Sequence, residues 1–368
     1  DGVEFAEDSG GESIAGYASC GKPNALFIDG VMLWRVDARE EVESGTWWGE
    51  DGQIVLGDDP SGRLVELSVI PHAIIGSARE VTIRDLVIQM YATPSQEGAV
   101  QAQEPDDGER GFGWLLEDVE IRNNHAAGLR TGNATVVRRV NAHHNGQLGI
   151  AVSGGDRVAI LESELAYNNT RGYYWEWEGG GGKFTRTNGL IVRGTHAHDN
   201  LGPGLWTDID CVDTTYDGNT VVDNLGPGIF HEISGSAVIR DNEIIGNGHG
   251  KSSWAWGAGI LIAASFDVEV VGNRLVGNAD GVTAVQQDRG TGPLGERRLD
   301  RIHIHDNAID LATGVAGVFE DVGDDLLFSD RDIRFESNRY SGVGNRQAYG
   351  WSGRYLTAAA WQATGQDE

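Results

Sequence analysis

Two segments of the chain, NLGPGLWTDID (residues 200–210) and NLGPGIFHEIS (224–234), are near copies of each other. Their glycines Gly204 and Gly228 lie 228 − 204 = 24 residues apart, and each segment carries an acid at the same position, Asp208 in one and Glu232 in the other. If the segments are neighbouring strands, these acids stand about 4.8 Å apart. Carboxylates that close can cleave a glycosidic bond. A separation of about 5–5.5 Å suits an acid with a nucleophile, and about 6.5–9.5 Å leaves room for an attacking water. Each charge also raises the pKa of the other, which yields a protonated general acid. The same oxygens could instead hold Ca²⁺.

The offset belongs to a longer pattern. Asn-x-x-x-Gly followed by a short strand recurs at Gly128, Gly149, Gly172, Gly204 and Gly228, with weaker copies at Gly259 and Gly281, so the spacings are 21, 23, 32, 24, 31 and 22. A period in the low twenties marks a solenoid. β-branched stretches of alternating polarity such as RVAILESEL and SAVIRDNEII lie between the anchors, and helical periodicity is absent. The chain therefore reads as all-β, a right-handed parallel β-helix whose turns stack Asn, a residue that tolerates left-handed backbone and can ladder its amides. A propeller blade needs about 40–50 residues and fits poorly.

Alignment on the glycines, with a period of two, sorts the faces. His231 is predicted to point inward, as a core histidine. One outward column contains Tyr174, Trp206 and Phe230, and the next contains Glu176, Asp208 and Glu232. Glu178 and Asp210 begin a third. Stacked like charges repel in the folded state, so folding alone gives no reason for them. Asp208 and Glu232 are the expected catalytic pair, with Glu176, Glu178 and Asp210 tuning pKa or binding sugar hydroxyls. Tyr174, Trp206 and Phe230, with Trp177, Trp254 and Trp256 nearby in sequence, form an aromatic strip suited to sugar faces. The two long spacings carry insertions, EGGGGKFTR and HGKSSWAW, which bring Lys183 and Lys251 as substrate clamps. His231 could still orient Glu232 at a bulge.

Composition narrows the partners. With 28 basic and 56 acidic residues the net charge is −28, and no basic cluster suits nucleic acid. A polyuronate would need a bridging cation or a local basic patch, whereas a neutral glycan would not. No apolar run reaches the ~18 residues of a membrane span, so no membrane partner is expected. Cys20 and Cys211 could pair or stay free. The chain begins at Asp1 without Met, as removal of a leader or upstream segment would leave it. Residues 1–69 read as an N-terminal segment with a small antiparallel β module, turning at EDGQ and DPSG. Residues 70–345 read as the β-helix, and residues 346–368 as an apolar cap with a polar tail.

Over about residues 70–345 the coils resemble the pectin-lyase-like superfamily of parallel β-helix proteins. The stretch GTWW…GQIVLGDDP resembles the small β domain inserted in several β-helix glycoside hydrolases. GPGLWTDID and GPGIFHEIS resemble segments of secreted bacterial β-helix proteins. The resemblance implies a secreted protein acting on polysaccharide, and the fold serves hydrolases, lyases, epimerases and phage adhesins alike. TDID and GHG only partly echo the polygalacturonase motifs, whose Arg-Ile-Lys is missing. An alginate-epimerase signature is also missing. Three readings follow. The first is a secreted glycoside hydrolase, expected to be a monomer without a cofactor. The second is a Ca²⁺-dependent polysaccharide lyase or epimerase, with Asp208, Asp210 and Glu232 on the cation and Lys183 or Lys251 as base. The third is a non-catalytic glycan-binding solenoid.

Overall fold

The computed structural model describes the chain except residues 1–3, 16, 18–19, 105–107, 251–252 and 368. Three long sheets of ten, ten and twelve strands wind together as a parallel β-helix. Each coil gives one short strand to each sheet. In one coil, Ile191–Arg193 joins the first sheet, His196–His198 the second and Leu205–Asp208 the third. Alternate side chains point inward, and Val192, Ala197 and Leu205 of that coil enter a single core that runs on to Trp361.

Asparagine sets the corners. Asn124, Asn145, Asn168, Asn200, Asn224, Asn247 and Asn278 form a buried ladder, each side-chain amide donating to the next Oδ1 at 2.8–3.1 Å. Asn219, Asn242, Asn273, Asn307 and Asn338 form a second, which ends on Asp367. The first ladder explains the glycines. A Cβ on Gly204 would stand 2.8 Å from the Gly228 carbonyl oxygen and 2.9 Å from Asn224 Nδ2. On Gly228 it would meet the Gly259 oxygen at 2.7 Å. The ladder amide and the next coil's backbone occupy the space a side chain would need.

One anchor differs from the sequence alignment. The third coil's glycine is Gly181, because Leu148 pairs with Gly180 and Ile150 with Gly182. The spacings are thus 181 − 149 = 32 and 204 − 181 = 23. A Cβ on Gly181 would meet Asn200 Nδ2 at 2.9 Å, as in the other coils, whereas Gly172 has φ +66° and its bareness makes room for the Tyr17 ring. Residues 169–179 are an insertion ending in one helical turn, Trp175–Glu178, and the strand follows at Gly180–Thr185. Tyr173 and Trp175 are buried residues of this insertion and do not belong to the coil stack.

The N-terminal module is a five-stranded sheet in the order 53–56, 46–50, 31–35, 26–28, 65–67. It is not wholly antiparallel, because Trp34 and Arg35 pair parallel with Thr46 and Trp47. EDGQ is a true hairpin turn, with Glu50 opposite Gln53. DPSG joins strands on opposite edges of the sheet, because Val65–Leu67 pairs with Leu26–Ile28. The preceding segment braces the 169–179 insertion, through Ile14 N–H to Gly172 O (2.7 Å) and Tyr174 N–H to Glu12 O (2.6 Å). Cys20 and Cys211 are buried and unpaired. At the other end, Trp361 stacks on Tyr349 and meets Phe335 edge-on, closing the last coil. Among the described residues no helix is long and apolar enough to cross a membrane.

The Asn224 side chain accepts from Asn200 N–H and Nδ2 and donates to Ala197 O and Asn247 Oδ1. Asn224→Ala should destabilise the protein by about 2–4 kcal/mol, since it strands buried donors and acceptors. Denaturant unfolding checks this, with a small effect expected for the neighbouring Asp223→Ala.

Candidate active site

The third sheet forms the floor of the site. Its outward positions stack in register as Arg130, Ala151, Lys183, Trp206, Phe230 and Leu261. The next outward column is Ser153, Thr185 and Asp208, and then Glu232, one residue beyond the Thr207–His231 pair. Asp208 and Glu232 are therefore neighbours on adjacent coils, as the alignment predicted. Tyr174 and Glu176 are not in these columns; Lys183 and Thr185 hold their places, because the insertion precedes the strand. Nor do Glu178 and Asp210 begin a third column. The strands end at Asp208 and Glu232, and Ile209 (φ 55°), Asp210 (φ 58°) and Ile233 (φ 38°) turn the corner.

The outward face is roofed and not open to solvent. Asp208 is 6% exposed, Glu232 5%, and Trp206 and Phe230 2% each. The 169–179 insertion covers one side, and Lys183 Nζ donates to Trp177 O at 2.6 Å. The segment around residues 254–256 covers the aromatic pair, with Trp256 edge-on to Phe230 at 6.0 Å and Phe230 stacked on Trp206 at 5.2 Å. A third cover, residues 286–298, carries Arg289, which donates to Glu232, and Arg297, 3.4 Å from Asp210. This stretch, QQDRGTGPLGERR, lies outside the Asn-x-x-x-Gly repeat, and its wealth of turn residues and arginine is its one sequence signal.

Two cavities share Glu176 as a lining residue. One, of about 430 Å³, is lined by Gln96, Arg130, Glu176, Trp177, Glu178, Lys183, Arg186 and Asp208 among others. The other, of about 360 Å³, is lined by Trp175, Glu176, Trp206, Phe230, Glu232, Trp256, Gln287 and Arg289. Glu176 and Glu178 thus reach the acid pair from the roof and not from the floor. Tyr174 is exposed at the edge, its hydroxyl 2.5 Å from Glu176 Oε2. Trp254 lines a separate cavity with Phe319 and Tyr355. Lys251 lies outside the described residues. His231 is a core histidine, bonded to Thr207 Oγ1 (2.7 Å) and Gly235 O (2.8 Å), and burial lowers its pKa to about 4.

The two acids differ in surroundings. Lys183 Nζ lies 3.1 Å from Asp208 Oδ2 and 3.7 Å from the centre of the Trp206 ring. The other oxygen, Asp208 Oδ1, is buried without a hydrogen-bond partner. Burial, and then the charge of Asp208, raise the pKa of Glu232, while Arg289 pulls it the other way. Burial likewise raises the pKa of Glu178, against the pull of Lys183 and a 3.0 Å bond from Gln96. The cavities hold four carboxylates (Glu176, Glu178, Asp208, Glu232) and four cations (Arg130, Lys183, Arg186, Arg289). The site is locally balanced in a chain of net charge −28.

Comparison with known proteins agrees with this architecture. A family model described as a right handed beta helix region matches residues 107–275. Among solved structures, XylC in complex with xylose superposes with a TM-score of 0.60 at 14% identity, over 87% of this chain and 60% of that one. This chain thus spans about 60% of the length of XylC. The A-modules of the Azotobacter vinelandii mannuronan C-5 epimerases AlgE6 and AlgE4 superpose with TM-scores of 0.53 and 0.51 at 18% and 15% identity, over 77% of this chain and 73% and 74% of theirs. No curated protein matches in sequence. The protein is a right-handed parallel β-helix with a small β module near its N-terminus.

Lys183→Met leaves the buried Asp208 charge without its partner and should cost about 3–5 kcal/mol of stability. Thermal or urea unfolding reads the loss, and adding Asp208→Asn should restore much of it.

Proposed function

We propose that the protein is a retaining glycoside hydrolase in which Asp208 is the nucleophile and Glu232 the general acid and base. One observation carries this reading. The two acids directly follow the last paired residues, Thr207 and His231, on adjacent strands, are nearly buried, and each lines one of two cavities that share Glu176 as a lining residue. The strand spacing of about 4.8 Å fits the short carboxyl separation of retaining enzymes better than the longer one of inverting enzymes. The glycosidic bond would lie at the junction, with one sugar in each cavity.

The roles follow from the environments. Lys183 supplies the counter-charge at Asp208 Oδ2, while Oδ1 is buried without a protein partner, so Oδ1 is the oxygen assigned to attack the anomeric carbon. Glu232, with its pKa raised, protonates the leaving oxygen as the bond breaks. It then takes a proton from the water that releases the sugar from Asp208, so acid and base exchange roles across the two steps. Trp175 and Trp256, with the edges of the stacked Trp206 and Phe230 rings, line the sugar position on the Glu232 side. That XylC is seen with xylose supports a sugar ligand for this fold. Action outside the cell is part of the same proposal, since a polysaccharide substrate is met there.

The local cations favour a second reading, a lyase or epimerase acting on an acidic glycan, because Arg130 and Arg186 could face a uronate. Two observations weigh against it. The Lys183 nitrogen already donates to Asp208 and to Trp177 O, an arrangement unlike that of a base. Asp208, Asp210 and Glu232 each have a basic partner (Lys183, Arg297 and Arg289) that Ca²⁺ would have to displace.

A panel of neutral and acidic oligosaccharides digested in ¹⁸O-water tests the proposal. Hydrolysis leaves one heavy oxygen at the new reducing end, and proton NMR should show the first-formed anomer with the configuration of the substrate. Glu232→Gln should lower kcat by about 10²–10⁴-fold on unactivated substrates. Unsaturated uronate ends would establish the lyase reading instead, and inverted product would remove Asp208 as nucleophile.

A further inference from the structure

Away from the acid pair, the second sheet carries the sequence THAHDN, with His196 and His198 on one strand. Residues two apart on a strand share a face, and the rings stack with centroids 4.1 Å apart. The preceding coil places Glu164 in register beside His196. One ligand atom from each of Glu164, His196 and His198 lies within 4.8 Å of the other two. Glu164 Oε1 is 3.0 Å from His198 Nε2. Two ligands on one tetrahedral zinc ion, at bond lengths of about 2.0–2.1 Å, stand about 3.3 Å apart. A metal could therefore replace the proton shared by that oxygen and nitrogen with little movement. The other nitrogen, His198 Nδ1, is 2.8 Å from Asp199 Oδ2, and a carboxylate behind a metal-binding imidazole fixes its orientation and tautomer.

A second copy of the motif supplies the contrast. IHIHDN places His303 and His305 on a strand of the first sheet, again stacked at 4.1 Å, with Asp306 2.8 Å from His305 Nδ1. Here the outer nitrogens diverge. His303 Nε2 reaches Glu336 (3.1 Å) on the following coil, and His305 Nε2 reaches Glu269 (3.2 Å) on the preceding one. Two similar His pairs thus differ in whether one acid converges on both.

We propose that Glu164, His196 and His198 form a binding site for a divalent transition metal of the zinc class, with Asp199 positioning His198. Two imidazoles and one carboxylate suit zinc, nickel or copper and not Ca²⁺, which takes six to eight oxygens. Binding displaces the shared proton to solvent and leaves a coordination position for water. The ion would clip two successive coils on a face separate from the acid pair, so the site stands or falls independently of the hydrolase reading.

The test is titration of the untagged, full chain with Zn²⁺ against a chromophoric chelator, with thermal unfolding in parallel. The expected result is one zinc per chain, proton release on binding and a raised Tm. His198→Ala and Glu164→Gln should abolish both effects, Asp199→Asn should weaken affinity about 10–100-fold, and the His303→Ala/His305→Ala variant should bind as the parent does. Absence of zinc binding by the parent chain overturns the proposal. So does unchanged affinity in His198→Ala with its fold intact by circular dichroism, or equal loss in the His303/His305 variant.

Discussion

The contact between each ladder asparagine and the glycine of the neighbouring coil is the constraint on which the rest depends. The amide of Asn224 occupies the space beside Gly204, and that of Asn247 the space beside Gly228. Because that contact repeats, the strands after each glycine stay in step. A shift of one residue would send every outward side chain into the core. The register that places Leu205 beside Ile229 also places Trp206 beside Phe230 and brings Asp208 alongside Glu232. Two like charges then share a nearly buried floor, which only surrounding cations and a proton make tolerable.

That environment is built largely by segments that interrupt the repeat. The 169–179 insertion brings Glu176 and Glu178 over the floor, and residues 286–298 bring Arg289 and Arg297. The N-terminal segment contributes indirectly, since its backbone bonds to Gly172 and Tyr174 hold the first of these in place. The solenoid supplies register and the insertions supply enclosure, so neither alone makes the site. Net charge misleads here. A chain of −28 concentrates enough cations at this one place to balance its acids.

The parts of this arrangement legible in the sequence are those that repeat. Asn-x-x-x-Gly revealed the coils, their inward columns, the inward His231 and the pairing of Asp208 with Glu232, because periodicity reports register directly. It failed where two glycines followed one asparagine. Gly172 and Gly181 both lie downstream of Asn168, and the strand pairing and the contact with Asn200 distinguish them. An alignment anchored on Gly172 places Glu176 and Tyr174 on the floor, where Lys183 and Thr185 belong. Burial of the acids was also invisible, since a period of two separates inward from outward but says nothing about what folds over the outward face. Arg289 was missed for the same reason. It is 289 − 232 = 57 residues from Glu232 and outside the repeat.

The central claim is that stacking makes Glu232 a raised-pKa acid through burial and through its neighbour Asp208. Carbon-13 NMR titration of the Glu232 carboxyl, in the parent and in Asp208→Asn, tests it most directly. The account predicts a midpoint above the ordinary glutamate value of about 4.3 in the parent, and a clear fall when the Asp208 charge is removed. A midpoint at or below the ordinary value, or one indifferent to Asp208, would contradict it.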